Sequence, residues 1–169
     1  MTQLLWDASA LAKRYVPEIG SASVDALWEA VSARSMIGTF LGYAEVHWLL
    51  LRKRSRGDIN ALSFAAAKSS LRLELAASSE FRLLEIETAD ILAGADILAG
   101  IALTEKHSIG PSDAMILAAY LRHARSGNDI YVLVAADGRL VRAAIAEGLK
   151  VFNPEILSVL EVPAFLAAL

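Results

Sequence analysis

The chain has 169 residues, of which 56% are hydrophobic and 21% charged, with a formal net charge of -3. That length fits one domain over residues 1–169 with a sizeable core, and the apolar content excludes disorder as a global state. Cysteine is absent, which excludes disulfides, thiolate catalysis and cysteine-ligated zinc, and the slight acidity weighs against a broad basic face for nucleic acid.

The apolar stretches fall short of a membrane span. The stretch from Ile91 to Leu103 is interrupted by Asp96, and about 18 to 20 uninterrupted apolar residues are needed to cross a bilayer. No basic segment precedes a long apolar core at the N-terminus, so no secretory signal and no membrane association are expected. A cytoplasmic protein fits this pattern.

Leu4 to Trp6 reads as a buried strand that stops at Asp7, and Ala8 to Tyr15 as a short helix ended near Val16-Pro17. Ala22 to about Ser32 forms a second helix, with Val24, Leu27, Trp28 and Val31 on one stripe. Met36-Ile37 is a short strand, followed by a long helix from Thr39, a candidate cap, to about Arg54. Gly57-Asp58 breaks the chain, and Asp58 can cap a helix from Ile59 to about Ala77. Phe81 to Ile86 is an edge strand. Thr88 is expected to cap a helix from Ala89 to about Lys106 that contains the hexapeptide Ala-Asp-Ile-Leu-Ala-Gly twice in tandem, from Ala89 and from Ala95. Six residues are about 1.7 helical turns, so the copies cannot share a face and indicate a local duplication.

Gly110-Pro111-Ser112 opens a helix over Asp113 to about Ala124. Ile130 to Val134 is a strand with the continuous apolar run expected of one buried on both faces. A helix from Gly138 to Glu147 is closed by Gly148, Leu149 to Phe152 is the last strand, and the apolar tail ends in a helix. Strands alternating with helices imply a mostly parallel sheet covered on both faces.

Four acids stand in unusual settings. Asp7 ends the first strand, and Asp137 follows the strand Ile130–Val134 by two alanines. Asp113 opens an otherwise apolar helix, and Glu45 sits among Tyr43, Ala44, Val46 and Trp48. Singly, Asp7 and Asp137 can be helix caps, Asp113 a charge that complements a helix dipole, and Glu45 a half-exposed helix residue. Together they suggest more, because acids in apolar surroundings are costly unless paired or metal-bound. A pocket of carboxylate oxygens suits Mg²⁺ or Mn²⁺. With such an ion a carboxylate cluster can activate water against a phosphodiester, and the cation offsets the repulsion between the acids and an anionic substrate.

Ser9 could serve a carboxylate or bound water, or only a local N–H. Lys13, Arg14 and Arg139 are candidates for phosphate contact at the rim, and Arg52 to Arg56 is a basic run at a helix end. The three histidines show no metal or triad spacing. Asp90 and Asp96 are expected on a helix surface or interface.

Asp7-Ala-Ser-Ala-Leu, the helix Leu-Gly-Tyr-Ala-Glu45-Val-His, Ser112-Asp113-Ala-Met-Ile-Leu-Ala-Ala and Val134-Ala-Ala-Asp137-Gly-Arg-Leu together resemble the PIN-domain ribonucleases, most of all the VapC-type toxins of toxin–antitoxin pairs. The resemblance spans nearly the whole chain. It implies a PIN-like three-layer α/β/α fold with a central parallel sheet in the order 3-2-1-4-5. It also implies a Mg²⁺- or Mn²⁺-dependent endoribonuclease with Asp7, Glu45 and Asp113 as principal ligands and Asp137 as an auxiliary one. RNA is the implied substrate, a cognate antitoxin the implied partner, and a homodimer the implied assembly, with the helices at Ala22–Val31 and Leu41–Leu51 as contributors. One position departs from the pattern. The family often has Thr or Ser shortly before the last acid, and Ala135-Ala136 stands there instead. That departure leaves a second reading open, a catalytically silent PIN-like module that binds RNA or protein.

Overall fold

Strand β1 (Thr2–Trp6) lies at the middle of the sheet in a computed structural model that describes residues 1–78, 81–95 and 102–169. The other strands are β2 (Met36–Thr39), β3 (Arg82–Leu84), β4 (Ile130–Val134) and β5 (Lys150–Phe152). All neighbours are parallel, and the order is β3-β2-β1-β4-β5, the one the PIN resemblance implies. Leu5 pairs with Ile37 on one side and Leu133 on the other, and Trp6 with Val134. The chains of β1 and β4 therefore leave the sheet at the same level, next to each other.

Alternation along the strands divides the core in two. Leu4, Trp6, Met36, Val132 and Val134 face α1 (Ala8–Leu11), α2 (Ser21–Ala30), α3 (Phe40–Arg56), α4 (Ala61–Leu71) and, near the C-terminus, α9 (Val162–Ala167). Leu5, Ile37 and Leu133 face α6 (Leu103–His107), α7 (Pro111–Arg125) and α8 (Gly138–Ala146). Helix α5 (Thr88–Ala95) lies against α7. Gly94 is the point of closest approach, since a Cβ there would sit 2.7 Å from the Met115 nitrogen. Among the described residues, no helix is long and apolar enough to cross a membrane.

Several local expectations need correction. Asn60, not Asp58, caps α4, its side chain accepting from the Ser63 N–H. That helix is α-helical only to Leu71, and a π-helical turn over Arg72–Ala76 carries it on. Thr88 is already inside α5, whose first turn Asp90 closes by accepting from the Glu87 N–H. The expected helix from Ala89 to Lys106 is not continuous, because Ala102 is extended and α6 starts anew after it. Asp96 and nearly all of the second hexapeptide lie outside the described residues.

Asp90 is not at the surface. It is 2% exposed, and both its oxygens accept from the Arg122 guanidinium at 2.9 Å. Lys13 and Arg14 are likewise committed to structure. Lys13 is buried and pairs with Glu18 and Glu155, while Arg14 grips Glu74 through two nitrogens and pairs with Asp25. Two chain segments far apart in sequence are thus tied to the helix that follows Asp7. Neither cation is available to a phosphate at the rim.

Candidate metal centre

Three helix starts and one helix interior converge at the carboxyl ends of β1 and β4, the crevice where open α/β sheets bind ligands. Asp7 is the first residue past β1, held in place because its N–H donates to the Val134 carbonyl at 3.0 Å. It also caps α1, with Oδ2 accepting from the Ser9 N–H at 2.8 Å and from the Ser9 hydroxyl. Glu45 projects from the second turn of α3. Thr39 sets where that helix begins by accepting from the Gly42 N–H, and Gly57 ends it in a left-handed conformation at φ 82°. Asp113 is the third residue of α7, after Pro111 at the first helical position, where the missing N–H is no loss.

Asp7, Glu45 and Asp113 each bring a carboxylate oxygen to within 4.8 Å of the other two. All three groups are pushed toward the protonated form. Burial does most of this for Asp7, which is 4% exposed. Burial, then the Asp7 charge, lifts Glu45 to about 7, against a hydrogen bond from Ser112 that lowers it. Burial and the charges of Asp7 and Asp137 lift Asp113 to about 6, which the nearby Arg139 partly opposes. A divalent cation would relieve both the cost of burying these acids and their mutual repulsion. The donor set, all carboxylate oxygen, fits a hard ion such as Mg²⁺ or Mn²⁺.

Asp137 stands apart from the tight trio. It lines the same cleft, of about 200 Å³, together with Asp7, Glu45, Asp113, Ser9 and Trp48. Its Oδ1 is engaged in capping α8, accepting from the Arg139 and Leu140 N–H groups at 2.8 and 3.0 Å. The cap and the cleft position coexist here.

Ser9 does both of the things its sequence position allowed. Its hydroxyl donates to Asp7 and accepts from the N–H groups of Ala136, at 2.9 Å, and Asp137, at 3.2 Å. One donor and two lone pairs are all that a serine hydroxyl has, and all are used. The turn that lacks a hydroxyl of its own at Ala135-Ala136 is therefore held by one from the first motif. Three neighbours of the site escaped the sequence reading: Ser112, Tyr120 and the Trp48 ring, which is 56% exposed beside the acids. Trp48 lies three residues after Glu45, so helical spacing was the available signal for it, while Ser112 offered only its place beside Asp113 at the start of α7.

No protein-family model matches the sequence, and no curated protein matches it. Among solved structures, the crystal structure of FitAcB from Neisseria gonorrhoeae aligns with a TM-score of 0.62 over 92% of this chain and 100% of that chain, at 18% sequence identity. At that identity the likeness is one of fold, and the fold it supports is the PIN-like α/β/α arrangement around a parallel 3-2-1-4-5 sheet.

Proposed function

We propose that the chain is a divalent-metal-dependent endoribonuclease of PIN type, the toxin of a type II toxin–antitoxin pair. The observation that carries this reading is the meeting of Asp7, Glu45 and Asp113 within 4.8 Å at the ligand-binding edge of a PIN-like sheet. These three would hold Mg²⁺ or Mn²⁺, with Asp137 as an auxiliary group. When bound, such an ion supplies an activated water and neutralises charge that develops on the phosphoryl oxygens.

The chain's own residues prepare the place for it. Ser9 fixes the Asp7 carboxylate and the Asp137 turn relative to each other, so two acids from neighbouring strands share one support. Ser112 hydrogen-bonds Glu45 and so links α7 to α3 across the cleft. The burial of Asp7 would strengthen the attraction between its carboxylate and a bound cation. A cognate antitoxin, a homodimeric assembly and a cytoplasmic location belong to the same reading through the resemblance to VapC-type toxins.

The silent-module reading drew its weight from Ala135-Ala136. The Ser9 hydroxyl reaches that turn, which favours the catalytic reading. The test is incubation of the purified protein with RNA. Cleavage is expected with Mg²⁺ or Mn²⁺ and not in excess EDTA, and Asp7→Asn should abolish it with folding intact. Full turnover in EDTA or in the variant would overturn the proposal, and folded protein without metal-dependent cleavage would leave the silent module. Growth arrest on expression, relieved by Asp7→Ala, tests the toxin role separately.

A further inference from the structure

A groove of about 340 Å³ opens from the acidic cleft and shares Ser9 and Asp137 with it. One wall is the outer face of α3. Glu45, Leu49, Arg52 and Arg56 follow one another at intervals of four, three and four residues, so they form one stripe, and Trp48 flanks it. At about 1.5 Å per residue, Arg52 lies about 10 Å and Arg56 about 16 Å along the helix from Glu45.

The cations of this groove differ in what they do. Lys13 and Lys53 are paired with Glu18, and Lys13 also with Glu155, so their charge is spent inside the fold. Arg54, on the same turns of α3, points elsewhere and stacks 5.2 Å from the Phe64 ring centre. Arg52 and Arg56 line the groove, are exposed, and among the described residues have no ion-pair partner, while Asp58 and Asp137 bring two acids to the same lining. Trp48 adds a large exposed aromatic face between them and the acids.

Exposed cations along a backbone, with aromatic faces on which bases stack, are the general solution for binding single-stranded nucleic acid, and the Arg52–Arg56 stripe next to Trp48 offers both although the groove as a whole is charge-balanced. We infer that the Trp48–Arg52–Arg56 face of α3 is the track for the single-stranded RNA on one side of the scissile phosphate. This rests on the reading of the acidic cleft as a phosphodiester site. Trp48 stacks on a base beside the cleft, while Arg52 and Arg56 hold successive phosphates farther along. The arginines supply the attraction that the acids deny to a polyanion.

The experiment is titration of a short fluorescent single-stranded RNA, followed by anisotropy at several salt concentrations. The Asp7→Asn background prevents cleavage. Arg52→Gln with Arg56→Gln is expected to weaken binding and to lower the slope of log affinity against log salt by about 1.4, the value for two lost phosphate contacts. Arg54→Gln should leave the slope close to that of the parent. Trp48→Ala is expected to weaken binding about tenfold without changing the slope, and Trp48→Phe to restore most of the loss.

Unchanged affinity and slope in the double variant would overturn the inference. So would a Trp48→Ala effect confined to the sedimentation behaviour of the protein, which would make the face a contact between copies. Cleavage by the parent protein is measured in parallel. If it is metal-dependent while the double variant binds normally, the track fails and the nuclease reading stands. If the slope falls as expected but the parent cleaves nothing, the track stands and the nuclease reading fails.

Discussion

The Tyr120 hydroxyl donates to the Trp6 carbonyl oxygen at 2.6 Å, and both side chains are buried. Trp6 immediately precedes Asp7, and Tyr120 lies two turns beyond Asp113 on α7. This one bond therefore sets the helix carrying Asp113 against the strand that delivers Asp7. Burial, and then the charges of Asp7 and Glu45, raise the Tyr120 pKa well above its usual value, so the phenol keeps the proton it donates.

Tyr120→Phe should cost about 1–3 kcal/mol, because it removes the partner of a buried carbonyl without changing the shape of the ring. Urea unfolding checks this. The variant should also bind divalent ions more weakly than the parent, since the separation of Asp7 and Asp113 is no longer pinned. A fall in stability with unchanged metal affinity would show the bond to be structural only.

Ser9→Ala removes three hydrogen bonds at once: one to Asp7 and those from the N–H groups of Ala136 and Asp137. It should weaken metal binding and lower cleavage while the sheet stays intact. Because the Ser9 contacts lower the Asp7 pKa against burial, metal binding in the variant should also require a higher pH. The check is metal affinity as a function of pH in both proteins.

The three clustered acids should make the metal-free protein less stable as pH rises from about 4 to about 7, a contribution read as the difference between the parent and Asp113→Asn. Ordinary carboxyls in the unfolded chain ionise near 4. In the native state Glu45 holds its proton to about 7 and Asp113 to about 6, and Asp7 is raised as well. The native state therefore binds more protons in that window, which makes unfolding easier as protons are withdrawn. A divalent ion must displace the same protons, so its stabilising effect should be small at pH 5 and large at pH 8. Thermal melts with Mg²⁺ and with EDTA test this. Asp113→Asn should raise the melting temperature of the metal-free protein at neutral pH and remove part of the pH dependence. An acid that served only as a helix charge would give the opposite shift.

Arg122→Ala should destabilise the protein by roughly 2 kcal/mol or more, because it strands the buried Asp90 carboxylate. Asp90→Asn in the same chain should recover part of that loss. The acidic cleft lies elsewhere, so cleavage per folded molecule should stay close to that of the parent.

Much of the candidate site's geometry was legible in the sequence, and the reason is local. Asp7, Asp113 and Asp137 are marked by where strands stop and helices start, which apolar periodicity reveals. The pairing of β1 with β4 followed from the strand order that the PIN resemblance implies. Lys13, expected at the rim, and Asp90, for which surface and interface were both open, each have a remote partner. Lys13 is held by Glu155, which is 142 positions away, and Asp90 by Arg122, which is 32 away. The local partners of each, Glu18 for Lys13 and the Glu87 N–H for Asp90, do not by themselves distinguish a buried ion from a solvated one. Ser9 is intermediate: its bond to Asp7 is local, while its hold on Ala136 and Asp137 crosses 127 and 128 positions. The cap of α4 failed for a smaller reason, since Asp58 and Asn60 are both good capping residues two positions apart.

The central claim is that Asp7, Glu45 and Asp113 form a cation site, and calorimetric titration of Mn²⁺ at pH 8 tests it most directly. The parent protein should bind with a saturable heat, and a folded Asp113→Asn protein should bind at least about tenfold more weakly. Equal affinity in the two proteins, or no binding by the parent, would contradict it.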